Sequence, residues 1–294
     1  MNFFKSIETG KIKIQEFGVW GSVGVFLVIF ILLNIISIPG VIISVILEHS
    51  NKSIVPIVNL IAEIITYLLV AVIVINWVKV KEESLENEEN IKEGRKFTKI
   101  KFKYLGIVIL MVMGYGLIYD NSLEHLVSQV GLNPVVKQHF EELSKTPIIM
   151  FISVAVVAPI FEETFFRGII LNGLSKKVHP VLAVIISALF FAIMHGNVIQ
   201  GVNTFLLGSL IGIIFIKTRS LYLCMFAHFI NNTLRIITSG ILQQTTTLGK
   251  FSIISIIPIV IGLVMLVLAY KLYKKNKNEL CGISEDKMYE EIAG

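Results

Sequence analysis

Charged side chains are scarce in this chain, making up 16% of its 294 residues against 54% hydrophobic ones. An ordinary soluble domain carries about 25% charged residues, so a surface turned to water on all sides is excluded. A disordered polar chain is excluded by the same figures. Cysteine is nearly absent: Cys224 falls in an apolar run and Cys281 in a polar tail, which reads as two free thiols and rules out a disulfide scaffold. No internal repeat and no low-complexity tract is present. A cleaved signal peptide is not expected either. The first apolar stretch, Phe17 to Leu47, has 31 uncharged residues, longer than the ~7–15 of a signal core.

What the chain has is long hydrophobic runs. Between Lys177 and Lys217 lie 39 residues without a formal charge. As helix that run is about 58 Å long at ~1.5 Å per residue, close to two crossings of a ~30 Å hydrocarbon core. A ~20-residue ruler predicts about eight membrane helices, near 17–47, 54–78, 102–119, 147–172, 180–195, 198–216, 221–241 and 251–273. The first is overlong and holds Pro39-Gly40, where a kink or an end is expected. The expected fold is an all-α, polytopic membrane bundle over 17–273, with a terminal segment 1–16 and a tail 274–294.

The formal charge of +5 needs no nucleic acid as a partner. With both ends in the cytoplasm and eight crossings, twenty basic residues fall in inner segments and four, Lys52, Lys137, Lys145 and Lys250, in outer ones. That is a strong positive-inside bias. The 79–103 loop mixes basic residues with Glu82, Glu83, Glu86, Glu88, Glu89 and Glu93 and reads as a solvated connector. The 120–146 loop, with Pro134 and an amphipathic stretch near Val135–Leu143, is expected on the outer surface.

Polar residues inside the spans carry the functional signal, because a charge in mid-bilayer costs at least ~2.5–3.5 kcal/mol on insertion scales. Glu162, Glu163, Arg167, His195 and His228 stand out, joined by Asn232, in the stretches FEETFFRG, FFAIMHGN and AHFINN. Glu163 and Arg167 are four apart and share a helix face, the spacing of an ion pair. Glu162 is turned by about 100° and is left without a local counter-ion, a setting suited to a general base. His228 and Asn232 also share a face. Reckoned at ~1.5 Å per residue from the cytoplasmic ends, the four candidates lie about 10 to 21 Å deep, so a polar intramembrane cavity is the expected meeting place. Gly208 and Gly212 read as a close helix contact. Glu63 is expected to pair within the bundle or, as the minority view, to aid substrate access. Arg235 is expected to snorkel, and Asn197 is a candidate for the cavity mouth.

These residues, Glu162-Glu163-x-x-x-Arg167, Phe191-x-x-x-His195 and His228-x-x-x-Asn232, resemble the three motifs of the CAAX-processing and bacteriocin-processing (CPBP, Abi) protease family. The resemblance covers about 147–240. It implies an intramembrane endopeptidase in which Glu162 and His195 activate water, His228 and Asn232 form an oxyanion hole, and Glu163 and Arg167 support the site. On cofactors it implies either none or zinc or another divalent metal, which Glu162, His195 and His228 would hold. The absence of His-Glu-x-x-His favours the metal-free form. The partners implied are a membrane-associated peptide or protein substrate and the lipid bilayer, and the Lys/Ile/Asn-rich composition suits a bacterial cell membrane. Two rival readings are a non-catalytic scaffold or immunity regulator of the same fold and a proton-coupled transporter. The transporter would need inverted repeats with broken helices at matching positions, and none is visible.

Overall fold

The computed structural model describes residues 12–80, 102–127, 141–242 and 255–281, with residues 6, 130 and 138. Its helices are α1 (Val19–Ser50), α2 (Val55–Val78, entered through a 3-10 turn at Lys52–Ile54), α3 (Phe102–Asp120) and the short α4 (Leu123–Val127). They continue as α5 (Pro147–Leu174), α6 (Pro180–Met194), α7 (Val198–Thr218), α8 (Leu221–Leu242) and α9 (Ile256–Cys281). The only strand-like pairing among the described residues is one bridge between Ile14 and Lys79. Residues 81–101 of the expected connector, 128–129, 131–137 (with Pro134) and 139–140 of the 120–146 loop, and 282–294 of the tail fall outside the described residues.

Each of the eight predicted segments overlaps one of these helices, and among the described residues six are long and apolar enough to cross a membrane: α1, Lys52–Val78, α3, α5, α7 and Ile256–Asn276. α6 is apolar but has 15 residues. α8 is long but interrupts its apolar run with His228, Asn231, Asn232, Thr233 and Arg235. The outer face matches a lipid environment: Ile35, Val41, Ile46, Val72, Leu263 and Val264 are all exposed. In water such a surface would associate. The chain is an all-α, polytopic membrane protein.

Of the kink or end expected at Pro39-Gly40, the end is absent, since α1 runs through Pro39 to Ser50. Packing explains why glycine follows. A Cβ on Gly40 would stand 2.6 Å from the Cβ of Ala62 in α2, so the small residue lets the two helices touch. Ser44 then bonds to the Gly40 carbonyl at 2.9 Å.

α5 is the hub, and it is not a plain α-helix. Two π-helical segments, Phe151–Val157 and Thr164–Leu171, flank an α segment at Ala158–Glu163. Pro159 lies just past the first; it has no N–H to give the Ala155 carbonyl in an α ladder. All eight residues of the second π segment are buried, so this helix has neighbours on every side. Phe165, Phe166, Ile169 and Ile170 pack with Val25, Ile29, Val70 and Val74 of α1 and α2. Leu171 and Leu174 pack instead with Leu207, Ile211, Leu221 and Cys224 of α7 and α8. Two apolar cores thus meet on α5, next to its charged residues.

The segment before α1 crosses the end of this bundle. Gln15 N–H donates to Val78 O at 2.8 Å, Val80 N–H to Lys13 O at 2.9 Å, and Lys176 Nζ to Ile14 O at 2.9 Å. Gly173 makes room for it, because a Cβ there would lie 2.4 Å from the Phe17 ring.

Candidate active site

The charged pair of α5 is formed as its spacing implies. Arg167 Nη1 donates to Glu163 Oε1 at 3.0 Å, with both side chains buried. The second arm of the guanidinium, Nη2, donates to the Gly208 carbonyl of α7 at 2.8 Å. That approach needs glycine: a Cβ on residue 208 would lie 3.1 Å from Phe191 Cδ1 and 3.2 Å from Arg167 Nη2. Gly212, one turn on, meets Val184 of α6 at 3.0 Å in the same sense. The Gly208/Gly212 pair is therefore a helix contact, and it also exposes a carbonyl to a buried cation.

His228 of α8 joins this pair. Its Nδ1 lies 2.8 Å from Glu163 Oε1, so Glu163 receives both Arg167 and His228. An imidazole Nδ1 facing a carboxylate carries the proton, and Nε2 then points the other way. There it lies 3.7 Å from Glu162 Oε2, too far for a direct hydrogen bond but near enough for both atoms to touch one small group. Glu162, with a side chain 18% exposed beside the fully buried Glu163, is the member of the pair that faces open space.

That space is a cavity of about 400 Å³. Glu162 and His195 both line it, together with Glu63, Thr66 and Tyr67 of α2 and Ser37 of α1. His195 closes α6, and its Nδ1 donates to the Phe191 carbonyl at 2.9 Å, so in the neutral ring Nε2 is the acceptor. Gly196 follows in the left-handed region at φ +66°, and Asn197 caps α7 by accepting from Gln200 N–H at 2.9 Å. Asn197, a candidate for the cavity mouth by sequence, is thus a cap and is not among the lining residues.

Phe191 explains why an aromatic precedes His195 by one turn. Its ring meets the His195 ring edge-on at 4.9 Å and the His228 ring edge-on at 5.6 Å. Arg167 sits over it at 5.0 Å. One buried phenyl therefore fixes three of the polar side chains.

Asn232 is held by the backbone of α5 and by its own neighbour. Its Nδ2 donates to the Val154 carbonyl in the first π segment at 2.8 Å, and its Oδ1 accepts from Asn231 at 3.0 Å. Neither His228 nor Asn232 is among the residues lining the cavity. The structure brings Glu162, His195 and His228 around one region and leaves Asn232 a turn away, with one amide hydrogen engaged.

Two other intramembrane charges are also resolved. Arg235 pairs with Asp120 at 2.6 Å and Glu124 at 3.3 Å, over the Tyr119 ring. Glu63 has no ion pair in the described residues and accepts instead from Ser153 Oγ at 2.7 Å. The α1–α2 wall of the cavity escapes a search for charges, since most of its polar residues are neutral. Asn59, Glu63 and Thr66 recur at helical spacing on an α2 that is apolar but for Tyr67 and Asn76, and that stripe is the available signal.

A metal would need three donors in reach of one point. Among the described residues no group of three His, Cys, Asp or Glu side chains lies close enough to hold one. The set Glu162, His195 and His228 does not fit zinc as arranged here.

Comparison with known proteins agrees with this region of the chain. The family model described as Type II CAAX prenyl endopeptidase Rce1-like matches residues 144–234, which run from the start of α5 into α8. YdiL of Bacillus subtilis (strain 168), a protein named as a membrane peptidase, is 28% identical over 116 residues, 40% of this chain and 48% of that protein. MroQ of Staphylococcus aureus (strain USA300), named as a membrane-embedded CAAX protease, is 24% identical over 178 residues, 58% of this chain and 70% of that protein. The chain thus spans about half the length of the first relative and more of the second. No solved structure matches.

Proposed function

We propose that this chain, which belongs to the CAAX-processing and bacteriocin-processing protease family, is an intramembrane endopeptidase that hydrolyses membrane-associated peptides or proteins. Water held between the Glu162 carboxylate and His195 Nε2 attacks the carbonyl carbon of the scissile bond. Glu162 takes the proton, and the carbonyl oxygen becomes an oxyanion. The His228 imidazolium, with Nδ1–H on Glu163 and Nε2–H turned toward Glu162, donates through Nε2 to that oxyanion, and Asn232 offers its second amide hydrogen. The proton on Glu162 then passes to the departing nitrogen, the C–N bond breaks, and a carboxylic acid and an amine leave. No metal takes part.

One observation carries this reading: Glu162 and His195 open onto the same cavity, and the His228 imidazole reaches from Glu163 to within 3.7 Å of Glu162. Preorganised donors at the site of developing charge are often the largest catalytic term. The Arg167–Glu163–His228 chain supplies such preorganisation, since each member is buried and fixed by a hydrogen bond. The basic-residue distribution supports a cell-membrane protein with both ends in the cytoplasm.

The test is cleavage of a membrane-peptide library by purified protein in lipid nanodiscs, wild type beside Glu162→Gln. New fragments from wild type alone support the protease. A cellular phenotype that persists in Glu162→Gln at unchanged protein level supports the scaffold reading instead.

A further inference from the structure

Glu63 takes no part in the mechanism above, yet it lines the same cavity as Glu162 and His195. Its Oε2 accepts the Ser153 hydroxyl hydrogen at 2.7 Å, and no side chain among the described residues donates to Oε1. Every other buried or half-buried acid near the bundle centre has a cationic or imidazole partner: Glu163 has Arg167 and His228, Glu162 has His228, and Asp120 has Arg235. The cavity wall contains two carboxylates and one imidazole, with no Lys or Arg, and Ser37, Asn59, Thr66 and Tyr67 add neutral polar atoms. An ionised group without a counter-ion is expensive at this depth. A carboxylate kept there finds its compensation in whatever fills the space. The volume, about 400 Å³, falls within the ~300–1,000 Å³ of ligand pockets.

We propose that Glu63 sets specificity, pairing through Oε1 with a cationic side chain of the substrate close to the bond that is cut. The inference rests on reading this cavity as the substrate site. Ser153 holds the carboxylate from α5, the helix that carries Glu162, so recognition and hydrolysis are tied to one element. The substrate class is then a membrane-associated peptide with a Lys or Arg beside the scissile bond, the charge being neutralised as the residue enters the cavity. Asn59, one turn before Glu63, bonds to Ser44 of α1 and keeps the α1–α2 wall in place behind it.

The experiment uses full-length protein in nanodiscs and paired apolar membrane peptides of about 20 residues, identical except for one mid-sequence position that is Lys, Met or Asp. Binding is measured on the Glu162→Gln variant, so that turnover does not interfere. The Lys peptide is expected to bind roughly tenfold tighter than the Met peptide, the effect of one charge-assisted hydrogen bond. Glu63→Gln, which keeps the Ser153 contact, erases that difference, and Glu63→Lys turns the preference toward the Asp peptide. Equal binding of Lys and Met peptides, or a preference that survives Glu63→Gln, overturns the proposal. Cleavage by wild type is read separately by mass spectrometry. Cuts without regard to charge overturn this inference and leave the protease standing. A Lys preference without any cut leaves the cation site standing and counts against the protease.

Discussion

The imidazole of His228 and the carboxylate of Glu163 meet at 2.8 Å although 65 positions separate them in the chain. Glu163 is also bonded to Arg167 at 3.0 Å, so the contact is the middle of a buried chain from the Gly208 carbonyl to the edge of the cavity. Adjacent glutamates thereby do different work. Glu163 fixes the histidine, and Glu162 faces the open space that the histidine points toward.

The two glutamates are therefore expected to fail differently when changed. Glu163→Ala leaves Arg167 buried without its carboxylate, a loss of about 3–5 kcal/mol for a broken buried pair. It should lower the thermal unfolding midpoint in detergent and the amount of protein in the membrane. Glu162→Gln breaks no hydrogen bond of the Arg167–Glu163–His228 chain and should leave the midpoint near that of wild type while cutting hydrolysis by roughly 10²-fold or more, the contribution of a general base. Equal destabilisation by both would contradict the division of roles.

Gly208 gives a second contrast. Gly208→Ala brings a Cβ to 3.1 Å from Phe191 and 3.2 Å from Arg167 Nη2, a crowding of the kind that costs about 1–3 kcal/mol in a packed core. Gly208→Val should be worse. Arg167→Lys keeps the charge but cannot serve Glu163 and the Gly208 carbonyl with one planar fork. It is expected to fall between wild type and Arg167→Ala in unfolding midpoint.

Much of this site is legible in the amino-acid order. Glu163 and Arg167 pair because four residues span one turn, and the same turn sets Glu162 aside. What the order hides is α5 itself, where π segments replace an even α ladder. The tie between Asn232 of α8 and the Val154 carbonyl of the first π segment is likewise invisible in the amino-acid order. The cavity's far wall is hidden for another reason. Ser37, Thr66 and Tyr67 are uncharged and ordinary in a membrane helix, and only the fold brings them opposite Glu162. Arg235 was read from its own helix alone; its partners Asp120 and Glu124 lie at the end of α3 and in α4. Pro39 does not end α1, because lipid-embedded helices carry proline inside them when neighbouring groups take up the freed backbone atoms.

Gly196 sets the position of His195. Its φ of +66° is a conformation in which a Cβ costs about 1–2 kcal/mol. Gly196→Ala should move the end of α6 and reduce kcat. Asn tolerates the left-handed region better, so Gly196→Asn should retain more activity than Gly196→Ala. The reverse order would show that the turn does not govern His195.

Chelation distinguishes the proposed chemistry from a zinc mechanism. Since Glu162, His195 and His228 do not form a three-donor set, hydrolysis should be unchanged by excess EDTA or phenanthroline and by added zinc after dialysis. Loss of activity on chelation with recovery on zinc would require a different arrangement of these side chains.

The most direct measurement is isotopic. Wild-type protein in nanodiscs is given a cleavable membrane peptide in water enriched in oxygen-18, and the fragments are weighed. The account predicts one heavy oxygen in the new carboxyl group of the N-terminal fragment from wild type, and about a hundredth as much fragment or less from Glu162→Gln or His195→Ala. Labelled product from Glu162→Gln at the wild-type rate would contradict it.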